Sequence, residues 1–263
     1  MRTDFPLWIK SSFVSIYNFT IKNSPITDFS AGLYVRLIPY EYLTDFQISN
    51  CIIKNNDCGI KLQKTKNVII SNCTINNNDG HSIYVLGSIN INIQFCDIFE
   101  NGVDVPPNAC FSGGIVITSN CNQEDSDMIK VSCCDIHNNI GDGILNIHSK
   151  NNSIYHNNFY DNDQNAYDRC DGNKWFNDKI FEGNYWDNYI GIDLDGDGIG
   201  EIPYKIPPKK TNNKDRFPLM KPWQNICNKK QNSHLISYTQ NKLLYSFIKT
   251  NLFPILVRLL NII

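Results

Sequence analysis

The chain is short of several things, and each shortage excludes a class. Only 19% of its 263 residues are charged and the formal net charge is −2, so a basic surface that holds nucleic acid by bulk electrostatics is excluded. No run of about 18 uncharged apolar residues occurs, which removes an ordinary transmembrane helix. Residues 1–16 lack the long apolar core and small-residue cleavage site of a signal peptide. The ten cysteines include no C-x-x-C pair, so a structural zinc site has no support. Nor is the chain depleted enough to be disordered: aromatic residues make up 12%, and β-branched residues are plentiful.

What is abundant is asparagine, and it recurs in a phrase, I-x-N-C-x-I-x-N-N. The phrase reads Ile48-Ser49-Asn50-Cys51-Ile52-Ile53-Lys54-Asn55-Asn56 and again Ile70-Ser71-Asn72-Cys73-Thr74-Ile75-Asn76-Asn77-Asn78, with weaker copies from Ile16, Ile93, Val131 and Ile154. A second phrase alternates with it: Gly32-Leu33-Tyr34-Val35, Gly59-Ile60-Lys61-Leu62, Ser82-Ile83-Tyr84-Val85 and Gly114-Ile115-Val116-Ile117. A period of about 22 residues is too short for helical repeats, and the leucine consensus of leucine-rich repeats is missing. The pattern therefore predicts an all-β, single-stranded parallel β-helix of about seven coils, each stacked about 4.8 Å on the last. Domain boundaries follow: the β-helix over 1–190, an Asp-rich loop and capping segment over 191–223, and a linker with an amphipathic helical tail over 224–263.

Stacking turns each column of the repeat into a ladder. Cys51, Cys73, Cys96 and Cys134 are expected to face inward as buried free thiols. Asn56, Asn78, Asn101, Asn139 and Asn162 are expected in a turn column of left-handed residues with amides bonded from coil to coil. Two coils carry insertions, between Ile16 and Ile48 and between Ile93 and Val131. These are expected to wall a groove over the G-I-x-V strands. Its outward residues would include Tyr34, Arg36, Lys61, Gln63 and Tyr84, a set suited to sugar stacking and to acidic sugars. Outward strand residues are also simply good β-formers. That face carries no carboxylate. Asp57, Asp79 and Asp104 follow the Asn turn and read as turn chemistry, and His81, His137, His148 and His156 as surface or turn residues, so no catalytic residue is assigned.

Asp193, Asp195, Asp197, the Ile199 carbonyl and Glu201, around Gly198, match the spacing of a calcium loop. A structural Ca²⁺ is the expectation, with Asp187 or Asp215 completing the shell in place of the missing twelfth-position Glu; a solvated acidic turn uses the same letters. Trp175, Phe176, Tyr185 and Trp186 are expected to cover the end of the core. In the tail, Leu244, Phe247, Leu252, Ile255, Leu259 and Ile262 recur at helical spacing around Pro254, the pattern of an interfacial envelope contact or of a helix folded on the protein or a partner.

The repeats resemble those of right-handed β-helices of the pectin-lyase-like superfamily. The stretch Gly183-Asn184-Tyr185-Trp186-Asp187-Asn188-Tyr189, then Asp193-Leu194-Asp195-Gly196-Asp197-Gly198-Ile199-Gly200-Glu201-Ile202-Pro203-Tyr204 and Asp215-Arg216-Phe217-Pro218-Leu219, resembles the end of NosD-like proteins. The resemblance implies an exported or cell-surface β-helix with carbohydrate-binding or sugar-hydrolase ancestry. NosD itself is associated with copper maturation, yet clustered His and Met are absent here; the Asp-Asp pair of the galacturonase branch is absent too. Three functions remain: a non-catalytic binder of polysaccharide or another envelope component, a polysaccharide lyase, hydrolase or epimerase, and a purely structural or adhesive solenoid.

Overall fold

The computed structural model describes residues 7–24, 30–36, 41–102, 113–119 and 126–224. The two insertions expected to wall the groove, together with Asp104, and residues 225–263 of the tail lie outside the described residues.

The chain winds as a right-handed parallel β-helix with three sheets of seven strands. The first sheet runs Leu7–Ile9, Leu33–Val35, Ile60–Gln63, Ile83–Leu86, Gly113–Thr118, Asp142–Ile147 and Gln164–Asp168. The second holds Ser15–Tyr17, Leu43–Ser49, Thr65–Ser71, Ile89–Gln94, Ser126–Ser132 and the pair Ser149–Lys150 and Ser153–Tyr155. The third holds Thr20–Lys22, Ile52–Lys54, Thr74–Asn76, Asp97–Phe99, Asp135–His137, Asn158–Tyr160 and Tyr185–Trp186.

The register places like residues over one another. Ile48, Ile70, Ile93, Val131 and Ile154 form one inward row, and Ile53, Ile75, Ile98, Ile136, Phe159 and Trp186 another; none exceeds 1% exposure. Cys51, Cys73, Cys96 and Cys134 are buried free thiols in the same core. Each donates to the carbonyl two residues before it at 3.3 Å.

The asparagines serve two roles. Asn56, Asn78, Asn101, Asn139 and Asn162 form an internal ladder, each Nδ2 donating to the next Oδ1 at 2.8–3.0 Å. They are not the left-handed residues expected of this column. That conformation belongs to the residue before each: Asn55, Asn77, Glu100, Asn138 and Asp161, at φ 51–54°. The strand must reverse into the core there, and an inward amide has to follow the kink rather than occupy it. Two more left-handed columns turn the other corners, Asp45-Asn67-Asn90-Met128-Asn151 and Asn50-Asn72-Phe95-Cys133-His156. Asn tolerates this conformation best among residues with a side chain, which explains the composition.

Past the last coil the chain folds over the core end. Trp186 stacks between Phe159 at 4.5 Å and Tyr204 at 4.2 Å. Trp175 is fully buried, whereas Phe176 sits at the edge against Phe217. Two buried carboxylates tie this layer down. Asp168 accepts from Trp175 Nε1 at 2.9 Å and Asn146 Nδ2 at 2.7 Å. Asp215 accepts from Asn184 N at 2.7 Å, Trp186 Nε1 at 3.0 Å and Phe217 N at 3.0 Å.

Candidate functional site

On the outward side of the first sheet the register lines up Trp8, Tyr34, Lys61, Tyr84, Val116, Leu145 and Tyr167. Trp8 and Tyr34 stack at 5.9 Å. Lys61 Nζ lies 5.4 Å from the ring centres of both Tyr34 and Tyr84, and Lys10 Nζ lies 3.8 Å from that of Trp8. In the next column Arg36 donates to the Tyr34 hydroxyl at 3.3 Å, and that hydroxyl donates to Gln63 Oε1. All five expected face residues thus meet in one network. The face is less open than expected, because Tyr34 is only 5% exposed and packs with Ala31 and Cys58. Val116, Leu145 and Ile147 form a further buried cluster on the same side. Burial raises the Tyr34 and Tyr84 pKa values and lowers that of Lys61.

Two members of this network escaped the sequence reading. Trp8 precedes the first clear repeat copy, so only the register reveals it. His81 looked scattered among the histidines, yet its ring stacks on Tyr84 at 5.2 Å. Its Nδ1 is buried without a hydrogen-bond partner. Burial, and then the Lys61 charge, lower its pKa to about 4, which keeps the imidazole neutral. Asp57 lies nearby, accepting from Ser30 Oγ at 2.7 Å; burial raises its pKa, aided by the Asp79 charge and opposed by the Ser30 bond and Lys61. The signal for His81 was its alignment with Cys58 one coil below, visible only once Ile83 is set over Ile60.

The acidic loop brings Asp193, Asp195 and Asp197 together, with one carboxylate oxygen from each lying within 4.8 Å of the others. Asp193 accepts from Gly196 N at 2.7 Å and Gly198 N at 3.0 Å. Asp197 accepts from Ile199 N at 2.8 Å, and Glu201 Oε1 from Leu194 N at 2.7 Å. The two expected distant ligands are committed elsewhere. Asp215 is fully buried in the end layer, and Asp187 accepts from Asp161 N and Asn165 Nδ2.

His137, on the third sheet, stacks between Phe99 at 5.1 Å and Tyr160 at 4.4 Å and bonds Asp97 at 3.1 Å. His156 pairs with Glu182 and lies under Trp223.

No curated protein matches the sequence. Among solved structures, an alginate lyase from Paenibacillus sp. is 15% identical, with 51% of each chain covered and a TM-score of 0.37. The A-module of a mannuronan C-5 epimerase from Azotobacter vinelandii is 11% identical, covering 64% of this chain and 56% of its own, with a TM-score of 0.43. The chain thus spans little more than half the length of these two, and at such values neither likeness bears on activity. A family model described as "Periplasmic copper-binding protein (NosD)" matches residues 9–191. Copper does not fit the donors described here. The four stacked thiols are buried and donate to carbonyls, and burial raises the Cys51 thiol pKa rather than yielding the thiolate a soft metal needs. Among the described residues the one cluster of three metal-capable groups is the hard-oxygen set in the acidic loop. The family match nonetheless spans more than half of the chain and covers the stacked coils, and the chain belongs to the NosD family.

Proposed function

We propose that this chain is an extracytoplasmic β-helix that binds an acidic polysaccharide along the outward face of its first sheet, with a structural Ca²⁺ in the loop of Asp193, Asp195 and Asp197. The observation that carries the reading is Lys61 set between Tyr34 and Tyr84, with Arg36 beside them. Cations placed between rings, one coil apart, suit a polymer with a carboxylate and an apolar sugar face in each unit. Location outside the cytoplasm follows the family description, and no helix among the described residues is long and apolar enough to cross a membrane. The test is affinity electrophoresis through polygalacturonate and alginate. Lys61→Ala should weaken retardation about tenfold, the worth of one charge-assisted contact, and retardation equal to wild type would overturn the reading.

His81 favours a second reading, a lyase or epimerase acting on the same polymer. A neutral imidazole stacked on Tyr84 beside Lys61 places a ring nitrogen next to the cation that would hold a sugar carboxylate; its lowered pKa makes it a weak base, so proton removal would depend on Lys61 acidifying the carbon beside that carboxylate. Release of unsaturated ends, for a lyase, or uptake of solvent deuterium at the carbon beside the carboxylate, for an epimerase, by wild type but not by His81→Gln would establish it in place of simple binding.

The Ca²⁺ proposal rests on the convergent oxygens of the acidic loop. Asp195→Ala should lower the melting temperature when Ca²⁺ is present and leave it unchanged in EDTA. An equal loss in both would remove the metal.

A further inference from the structure

The second sheet carries a feature that the acidic-polymer reading does not use. Its strands contain the left-handed residues Asp45, Asn67 and Asn90 in mid-course. A positive φ inside a strand bends it, and in successive coils the bends stack into a trough. A cleft of about 440 Å³ opens there, lined by Ser15, Asp45, Gln47, Asn67, Ile69, Asn90 and Asn92 together with the backs of Phe46 and Val68. Ser15, Gln47, Ile69 and Asn92 stand in one register column, one residue per coil.

The chemistry of the lining selects the ligand. Among the described residues no cationic side chain lines the cleft itself; Lys130, which follows Asn92 one coil on, is turned to the Tyr155 ring at 5.2 Å, so the cleft offers an anionic polymer no ion pair. Its single carboxylate, Asp45, already accepts from Thr44 Oγ1 at 2.6 Å and Asn67 Nδ2 at 3.2 Å, and Asn90 Nδ2 donates to Asn67 Oδ1 at 2.8 Å. The remaining groups are amides and a hydroxyl, which both donate and accept, as sugar hydroxyls do. Asn92 donates its Nδ2 to Gln94 Oε1 at 3.1 Å and leaves its Oδ1 buried with no partner in the chain, an acceptor that a turn of the side chain would present to a hydroxyl in the cleft. Beside it Ile69 is 39% exposed, and at the rim Tyr17 is 42% exposed, its hydroxyl fixed on Gln47 Oε1 at 2.8 Å. These give a sugar an apolar floor and a ring edge. Successive coils repeat this set about every 4.8 Å, close to the advance of one pyranose unit in an extended glycan.

We infer that the trough on the second sheet is a binding site for a neutral, extended polysaccharide lying along the solenoid axis, one sugar unit per coil. It is separate from the first-sheet face, so the two proposals stand or fall independently. The test uses the full chain and three neutral probes: cello-, manno- and laminari-oligosaccharides of six units, titrated calorimetrically, with polygalacturonate in parallel. At least one neutral series should bind. Asn92→Leu and Ile69→Glu should each weaken it about tenfold, as loss of a hydrogen bond or an apolar contact does, with the melting curve retained. Lys61→Ala should leave neutral binding within twofold while weakening polygalacturonate. Absence of binding to all three neutral series, or neutral binding that Asn92→Leu and Ile69→Glu leave intact, would overturn the inference. Loss of neutral binding in Lys61→Ala would place the ligand on the first sheet and equally overturn it.

Discussion

Asn78→Ala tests whether the internal amide ladder holds the coils together. The Asn78 side chain is fully buried and makes four hydrogen bonds. Nδ2 donates to Asn101 Oδ1 at 2.8 Å and to Ile53 O at 3.3 Å, and Oδ1 accepts from Asn56 Nδ2 at 3.0 Å and Asn56 N at 3.1 Å. Alanine removes all four. Asn56 Nδ2 keeps its bonds to Ile21 O and Lys54 O, and Asn101 Oδ1 keeps the Asn78 backbone N–H at 3.2 Å. The Asn56 N–H loses its acceptor. At about 1 kcal/mol net per bond, with more where a buried donor is stranded, the loss is roughly 3–5 kcal/mol. The control is Asn72→Ala on the exposed corner, where φ is 52°. Alanine there pays only the left-handed backbone penalty of roughly 1–2 kcal/mol, and Asn72→Gly recovers it. Urea melts should show the midpoint falling about two to three times further for Asn78→Ala than for Asn72→Ala. Hydrogen exchange at the Asn56 amide should accelerate in Asn78→Ala alone. A loss below about 1 kcal/mol for Asn78→Ala would mean that the ladder fills space without bonding the coils, and would refute the argument.

Other outcomes follow from the end layer. A Cβ on Gly183 would lie 1.9 Å from Asp215 Oδ1, and Asp215 is tied by three donors and cannot retreat, so Gly183→Ala should cost roughly 2–4 kcal/mol in a denaturant melt. Burial raises the Asp215 pKa to about 6 from 3.8. The folded state therefore binds the extra proton, and this group's stabilising contribution is fully present below about pH 4 and is lost as pH rises through about 6. Asp215→Asn should flatten that part of the stability–pH curve, and an unchanged slope would show that the carboxyl does not titrate there. Asp142, raised by burial to about 6 on the first sheet, should contribute in the same direction, and Asp142→Asn should remove its share of the slope.

The letters alone decided the solenoid. A phrase recurring every 22 or 23 residues, with alternating Ile and a fixed Cys, has one economical solution, and Cys51, Cys73 and Cys96 do sit in one buried row. Asparagine at paired positions announced both corners and a ladder, because only an amide tolerates positive φ and also bonds to its own kind above and below. Which of two adjacent asparagines did which could not be read, since Asn55 and Asn56 are the same letter and only the path of the backbone separates a kink from an inward side chain. The first-sheet residues were legible from alternation. The burial of Tyr34, the isolation of His81 Nδ1 and the trough beneath Asn92 were not. Each depends on what lies one coil above or below, a neighbour about 22 residues away in sequence, and on where a bent strand leaves space. Asp215 shows the same limit: within an acidic, terminal stretch it read as a spare metal ligand, and the fold buried it in the end layer with its oxygens taken by Asn184 N, Trp186 Nε1 and Phe217 N. Sequence fixes which residues share a column; the third dimension decides which columns close over one another and which stay open to a ligand.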